Sequence, residues 1–161
     1  MWFGSDKSWS RNRIARVTSL QCTASDTVSC RDRKFHAMPR TILIVDDTHT
    51  CGDTLALALA AIPDFDVRMV TSAQEALRLI DDLSLAAVVT DLHMPRIDGY
   101  ELIQRLRAEP RFAAVPIVVI SGDTDLDTPT RLRRLGADAY FTKPFSPNAV
   151  RRTLEHLLYA K

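Results

Sequence analysis

Ile42-Leu43-Ile44-Val45 leads into Asp46-Asp47, and Ala86-Ala87-Val88-Val89-Thr90 leads into Asp91. Two more runs of this kind follow: Ile117-Val118-Val119-Ile120 ends at Ser121, and Ala139-Tyr140-Phe141-Thr142 ends at Lys143-Pro144. Apolar runs this short and continuous suit strands buried on both faces, as in a parallel sheet. Such strands point the same way, so their polar ends should meet along one edge, where open α/β sheets place their sites. Carboxylates, a hydroxyl and a lysine would then converge. That set suits a hard divalent cation, which prefers oxygen ligands, together with a phosphoryl group.

Working outward, strand and helix alternate five times from Thr41 onward. Strands are expected at about 41–46, 66–70, 86–91, 115–120 and 138–142, with helices at about 49–62, 72–83, 98–109, 126–135 and 146–159. In the first helix Cys51, Leu55, Leu59 and Ile62 follow the stripe of one buried face, as do Ala73, Leu77 and Ile80 in the second, capped by Ser72. The third buries Leu102, Ile103 and Leu106 and is stopped by Pro110. The fourth carries Pro129 early and ends at Gly136. The last opens with Ser146 as cap and Pro147 in the first turn, and buries Val150, Leu154 and Leu157. Five βα units with short links predict a doubly wound parallel sheet with right-handed crossovers. The fifth helix takes up almost all of the remaining chain, so no output domain is expected.

The 161 residues suit one domain, and 46% hydrophobic with 25% charged residues are ordinary globular values. The net charge of +1 hides an asymmetry. Residues 1–37 hold seven Lys and Arg against three acids, and residues 38–161 hold fourteen against seventeen. A body this acidic gives no reason to expect direct nucleic-acid binding. Three cysteines (Cys22, Cys30, Cys51) are odd in number and lack metal spacing, which favours a reducing compartment over a disulfide framework. No apolar run approaches the roughly 20 residues of a membrane helix. The expectation is a soluble, cytoplasmic protein without membrane contact.

Residues 1–37 carry no sustained period and are rich in Ser, Arg and Asp, so a disordered extension is the default. They lack the apolar stretch of a secretory signal, and Asp6, Asp26 and Asp32 fit a transit peptide poorly. A further reading is that translation starts at Met38, directly before the first strand, which leaves 38–161 as the whole domain.

Taken singly, the candidate residues have bland readings. Asp46 or Asp47 could cap the next helix, Asp91 and Ser121 could form turns, Lys143-Pro144 could be a loop, and Tyr140 a half-buried strand residue. Together they do more. Magnesium keeps several waters, so two or three carboxylates hold it. A carboxylate is a competent nucleophile toward phosphorus, but attack on an anionic phosphoryl group needs positive charge nearby. A metal at Asp46 and Asp47 supplies part of that charge and Lys143 the rest. A hydroxyl at Ser121 can donate to a phosphoryl oxygen.

This constellation resembles the receiver domain of two-component response regulators. The specific marks are the acid pair after the first strand, then Asp91 with Met94-Pro95 three and four residues on and Asp98-Gly99 opening the next helix, and finally Lys143-Pro144-Phe145 after the fifth strand. The resemblance spans about 38–159. It implies a flavodoxin-like (βα)5 fold with strand order 2-1-3-4-5, and Asp91 as the phosphoacceptor. It implies Mg²⁺, with Mn²⁺ able to substitute, on Asp46, Asp47, Asp91 and the backbone carbonyl of His93. The His93 side chain and Asp123 fall where the family tunes phosphoryl lifetime, Asp123 by a carboxylate that could hold water near the site. Ser121 and Tyr140 match the switch pair, and a cis peptide before Pro144 would aim Lys143. The family usually has Ala after the switch hydroxyl, whereas Gly122 stands here and should loosen the loop. Partners implied are a sensor histidine kinase or histidine phosphotransfer protein and a downstream protein target, met on the fourth and fifth helices and the strand between them. Arg131, Arg133, Arg134, Arg151 and Arg152 lie on those helices. They are either a solvated face or a dock for an acidic partner.

The expectation is a stand-alone phosphoacceptor, monomeric or dimerising on phosphorylation, and not a conventional enzyme. A rival is a phosphorylation-independent interaction module on the same fold; degenerate receivers lose an acid, the nucleophile or the lysine, and none is lost here. A flavodoxin-like phosphate binder is weaker, because Asp46-Asp47-Thr48 would repel an anion unless metal were present.

Overall fold

The computed structural model describes residues 40–160. The expectations for residues 1–37, for a start at Met38 and for Cys22 and Cys30 lie outside the described residues, as does the side chain of Cys51. The elements run β1 Arg40–Val45, α1 His49–Leu59, β2 Phe65–Val70, α2 Ala73–Leu79, β3 Leu85–Asp91, α3 Gly99–Ala108, a 3-10 turn Pro110–Phe112, β4 Ile117–Ser121, α4 Thr128–Leu135, β5 Ala139–Thr142 and α5 Pro147–Tyr159. The sheet is parallel throughout, in the order β2-β1-β3-β4-β5. This is the expected flavodoxin-like (βα)5 arrangement.

Burial explains why three strands read as unbroken apolar runs. Ile42 and Ile44 of β1, with Val118 and Ile120 of β4, pack under Leu55, Leu59, Val150 and Leu154 of α1 and α5. Leu43, Val45, Ile117 and Val119 face the opposite way, onto α2, α3 and Leu132 of α4. A strand with both faces covered has no polar position to alternate with. The edge strand β2 does alternate: Asp66 and Arg68 are exposed between half-buried Phe65, Val67 and Met69.

Helix ends follow local chemistry. Asp98 caps α3 by accepting the Glu101 N–H at 2.8 Å, and Ser72 caps α2 by accepting that of Glu75 at 3.3 Å. Gly136 closes α4 at φ +96, its N–H reaching the last-turn carbonyls. Ser146 precedes α5 but makes no side-chain cap bond; only its carbonyl accepts, from Ala149 and Val150. Two expectations need correction and one needs extension. The second helix ends at Leu79, short of residue 83, and it buries Ala76 while Leu77 stays half-buried. Pro110 follows the end of α3 as expected, and it also opens the 3-10 turn that buries Phe112. In α5 the fully buried stripe is Val150, Leu154 and Leu158, the i, i+4, i+8 set, with Leu157 at its margin.

Arg107 was not singled out in the sequence, yet it joins three elements at the end of the sheet away from the acids. Its guanidinium donates to the carbonyls of Phe112 and Val115 at 2.9 Å, to that of Gly136 at 2.7 Å, and to Asp138 Oδ2 at 3.0 Å. Asp138 Oδ2 also receives the N–H of Ile117 at 2.8 Å. Among the described residues no helix is long and apolar enough to cross a membrane.

Candidate functional site at the carboxyl edge of the sheet

Register brings the polar strand ends together. Val45, the last residue of β1, lies between Val70 and Thr90, so Asp46 and Asp47 leave the sheet beside Asp91. Asp91 is opposite Ile120, and Ser121 opposite Thr142. The Lys143 N–H donates to the Ser121 carbonyl at 2.8 Å, which carries the pairing of β4 and β5 one step further, and the Lys143–Pro144 peptide is cis. Residues 52 apart in sequence thus reach one pocket.

One carboxylate oxygen each from Asp46, Asp47 and Asp91 lies within 4.8 Å of the other two; Asp46 and Asp91 are buried and Asp47 is exposed. Asp46 Oδ1 accepts the Thr48 N–H at 2.8 Å and the Thr48 hydroxyl at 2.5 Å, which diverts that hydroxyl from capping α1. Asp91 Oδ1 accepts the N–H groups of Leu92 at 2.6 Å and His93 at 3.2 Å. Its Oδ2 lies 2.5 Å from Lys143 Nζ, which is also 3.6 Å from Asp46 Oδ2. Three ionised carboxylates against one ammonium leave a formal charge of −2 in a partly dry pocket. Like charges this close are costly without compensation, and the donors are all hard oxygens. The residues present therefore fit a divalent cation such as Mg²⁺.

Gly99 explains how the Asp91 turn packs against α3. Its N–H donates to the Leu92 carbonyl at 2.9 Å, and a Cβ placed there would come within 2.8 Å of the Leu92 Cα.

Beside the acids, Ser121 is fully buried and its Oγ accepts the Asp123 N–H at 3.2 Å. The Tyr140 hydroxyl donates to the Asp123 carbonyl at 3.1 Å, and its ring packs half-buried on the α2–α4 side of the core. Burial, then the Asp123 charge, then Tyr100 raise the Tyr140 pKa, so its phenol stays a donor. The Asp123 carboxylate accepts the Asp125 N–H at 3.0 Å through Oδ1 and the Thr128 hydroxyl at 2.8 Å through Oδ2. Those two bonds, the Asp125 one foremost, hold its pKa below the ordinary carboxylate value. Both oxygens are thus engaged, one by the β4–α4 loop and one by the first residue of α4. The His93 side chain is exposed at the rim.

The five arginines do not form one cluster. Arg131 stacks on the Tyr100 ring at 4.9 Å, Arg133 and Arg134 are exposed on α4, Arg151 lies 3.8 Å from Glu155 within α5, and Arg152 is exposed. Arg133, Pro129, Leu132 and Tyr140 line a cleft of about 290 Å³ between α4 and β5. Thr48 and Thr128 were missed by sequence reasoning. Thr48 had a usable signal, a hydroxyl two residues beyond a strand-end aspartate. Thr128 had none, because its partner lies across a loop.

Comparison with known proteins agrees with this geometry. The family model for the response regulator receiver domain matches residues 42–155. The response regulator Rre1 of Synechocystis is 30% identical over 122 residues, 76% of this chain and 53% of that protein. The chemotaxis protein CheY1 of Helicobacter pylori is 28% identical over 118 residues, 73% of this chain and 95% of that protein. The chain spans about half the length of the first curated relatives it matches. Among solved structures, a response regulator of Chloroflexus aurantiacus superposes with a TM-score of 0.69 at 33% identity, covering 76% of this chain and 99% of that one.

Proposed function

The chain belongs to the response regulator receiver domain family, and from that premise we propose that it accepts a phosphoryl group on Asp91 and relays the event to a protein partner. The observation that carries this reading is the state of the Asp91 carboxylate. Oδ1 is pinned by two backbone N–H groups while Oδ2 faces the only lysine ammonium among its described contacts. One oxygen is fixed, and the other waits beside the charge that a phosphoryl group would need.

In the reaction, Oδ2 of Asp91 attacks phosphorus in line. The O–P bond forms as the P–N bond of a phosphohistidine breaks, and the donor imidazole leaves with the electron pair. A sensor kinase, a histidine phosphotransfer protein or a small phosphodonor can serve. No general base is needed, because the nucleophile is already an anion. The Lys143 ammonium passes from the carboxylate to a phosphoryl oxygen, a short move for a flexible point charge. The Ser121 hydroxyl donates to a second oxygen. Mg²⁺, with Mn²⁺ as substitute, would be held by Asp46, Asp47, Asp91 and the His93 carbonyl and would supply positive charge to the transferring group. The donor shares the work, so the chain is a phosphoacceptor and not a conventional enzyme.

The outcome is a two-state change read on the surface of α4, β5 and α5. The α4–β5 cleft beside Tyr140, with the exposed Arg133 and Arg134, supports an acidic partner there. The exposure of His93 supports a role for its side chain in the access of water to the acyl phosphate. The test is intact mass after incubation with Mg²⁺ and acetyl phosphate. One added phosphoryl group is expected, lost on chelation and absent in Asp91→Asn. An adduct that survives in the mutant, or none even with a panel of kinases, overturns the reading.

A further inference from the structure

Two side chains bracketing the β4–α4 loop, Ser121 and Thr128, are polar and fully buried. Both bind the same residue. Asp123 gives its N–H to Ser121 Oγ at 3.2 Å and receives the Thr128 hydroxyl on Oδ2 at 2.8 Å. Its carbonyl receives the Tyr140 hydroxyl at 3.1 Å, and Oδ1 receives the Asp125 N–H at 3.0 Å. One residue thus ties together the end of β4, the first residue of α4 and the middle of β5.

The residue between Ser121 and Asp123 makes these bonds consequential. Gly122 is exposed, and a Cβ on it would meet nothing within 4 Å. A glycine without packing is a compliant point in the chain, able to absorb a displacement of Ser121 instead of passing it on. The hydrogen bonds bypass it. Thr128 cannot easily let go, because a buried hydroxyl without a partner costs about 1–3 kcal/mol. When Asp123 moves, the first turn of α4 must therefore move with it.

Resting on the phosphoacceptor reading above, we propose that Thr128 is a positioning residue that couples the Ser121–Asp123 loop to α4 through its bond to the Asp123 carboxylate. It touches no reacting atom. Its effect is to make α4 respond when a phosphoryl group draws on Ser121, by keeping the loop and helix one rigid unit.

The experiment uses the full chain with Mg²⁺ and beryllofluoride, a phosphoryl mimic. Fluorine NMR reads binding, and amide exchange reads Arg131 and Leu132 in the first turns of α4. Wild type and Thr128→Ser, which keeps the hydroxyl, should show about a fivefold change in exchange on binding, the low end of typical coupling between sites. Thr128→Val should bind beryllofluoride as wild type does while that change falls below about twofold. Asp123→Ala breaks the same bond from the half-exposed side and should show the same loss, so the test survives if the valine variant fails to fold. A full α4 response in Thr128→Val or Asp123→Ala overturns the proposal, as does an equal loss in Thr128→Ser. If wild type binds no beryllofluoride, the phosphoacceptor reading itself falls, and the binding signal separates that failure from the others.

Discussion

Gly99→Ala should displace the phosphoacceptor, and Gly122→Ala is its control. At Gly99 the added Cβ would come within 2.8 Å of the Leu92 Cα and 3.1 Å of the Asp91 carbonyl carbon. These neighbours are backbone and cannot swing away. Overpacking costs about 1–3 kcal/mol where side chains can adjust, so contacts this close to backbone should cost about 3 kcal/mol. For a domain of this size that is a fall in Tm on the order of 10 °C. The strain is relieved by moving α3 or the Asp91–Leu92 turn, so beryllofluoride affinity should fall with stability. Gly122 gives the opposite expectation. Its φ is not positive and a Cβ there meets nothing within 4 Å, so alanine restricts the unfolded chain and stabilises by about 0.4–1 kcal/mol. Urea unfolding with and without Mg²⁺ and beryllofluoride reads both effects. A Gly99→Ala protein within about 0.5 kcal/mol of wild type, with unchanged beryllofluoride affinity, would refute the reasoning.

Three further outcomes are expected. Arg96 sits at φ +74 in the loop after Asp91, a conformation that costs a side-chain residue about 1 kcal/mol, so Arg96→Gly should raise the urea midpoint without changing the m-value. Gly136→Ala combines φ +96 with a Cβ 2.8 Å from Arg107 Nε, and should cost about 2 kcal/mol or more by the same assay, with Arg107→Met at least as damaging because it strips donors from three part-buried carbonyls at once. The Asp123 carboxyl titrates below its ordinary value of 3.8 in the fold. Its contribution to stability is therefore fully present above that value and lost as pH falls below it. Thr128→Val should move the titration upward, read from the Asp123 carboxyl ¹³C shift, and an unchanged midpoint would contradict the bond assigned to Oδ2.

Much of this protein is legible along the chain because parallel strands buried on both faces must be apolar throughout. Such runs end abruptly at a marked residue: Asp46, Asp91 and Ser121 each lie within one residue of the end of a strand buried on both faces, and Lys143 follows the half-buried β5. The Ser72 cap reads equally well, since its bond spans three residues, whereas the Asp98 cap was not read and Ser146 makes no side-chain cap bond. Boundaries read less well. Pro110 signals a stop to α3 but not the turn that buries Phe112, because that turn is held by docking against the core. The choice of Leu158 over Leu157 depended on where α5 lies on the sheet.

The sequence by itself determined the alternation of five strands and five helices, the edge on which the acids and the lysine gather, and the hard-oxygen chemistry they offer. These follow from periodicity and local geometry, which act between near neighbours. Only the tertiary structure decided which oxygen of Asp91 is pinned and which meets Lys143. It alone tied Thr128 and Tyr140 to Asp123, and made Arg107 a brace between α3, α4 and β5. Those are contacts of single atoms across packed elements, set by register and crossing geometry. No spacing along a chain encodes them until the helices are docked.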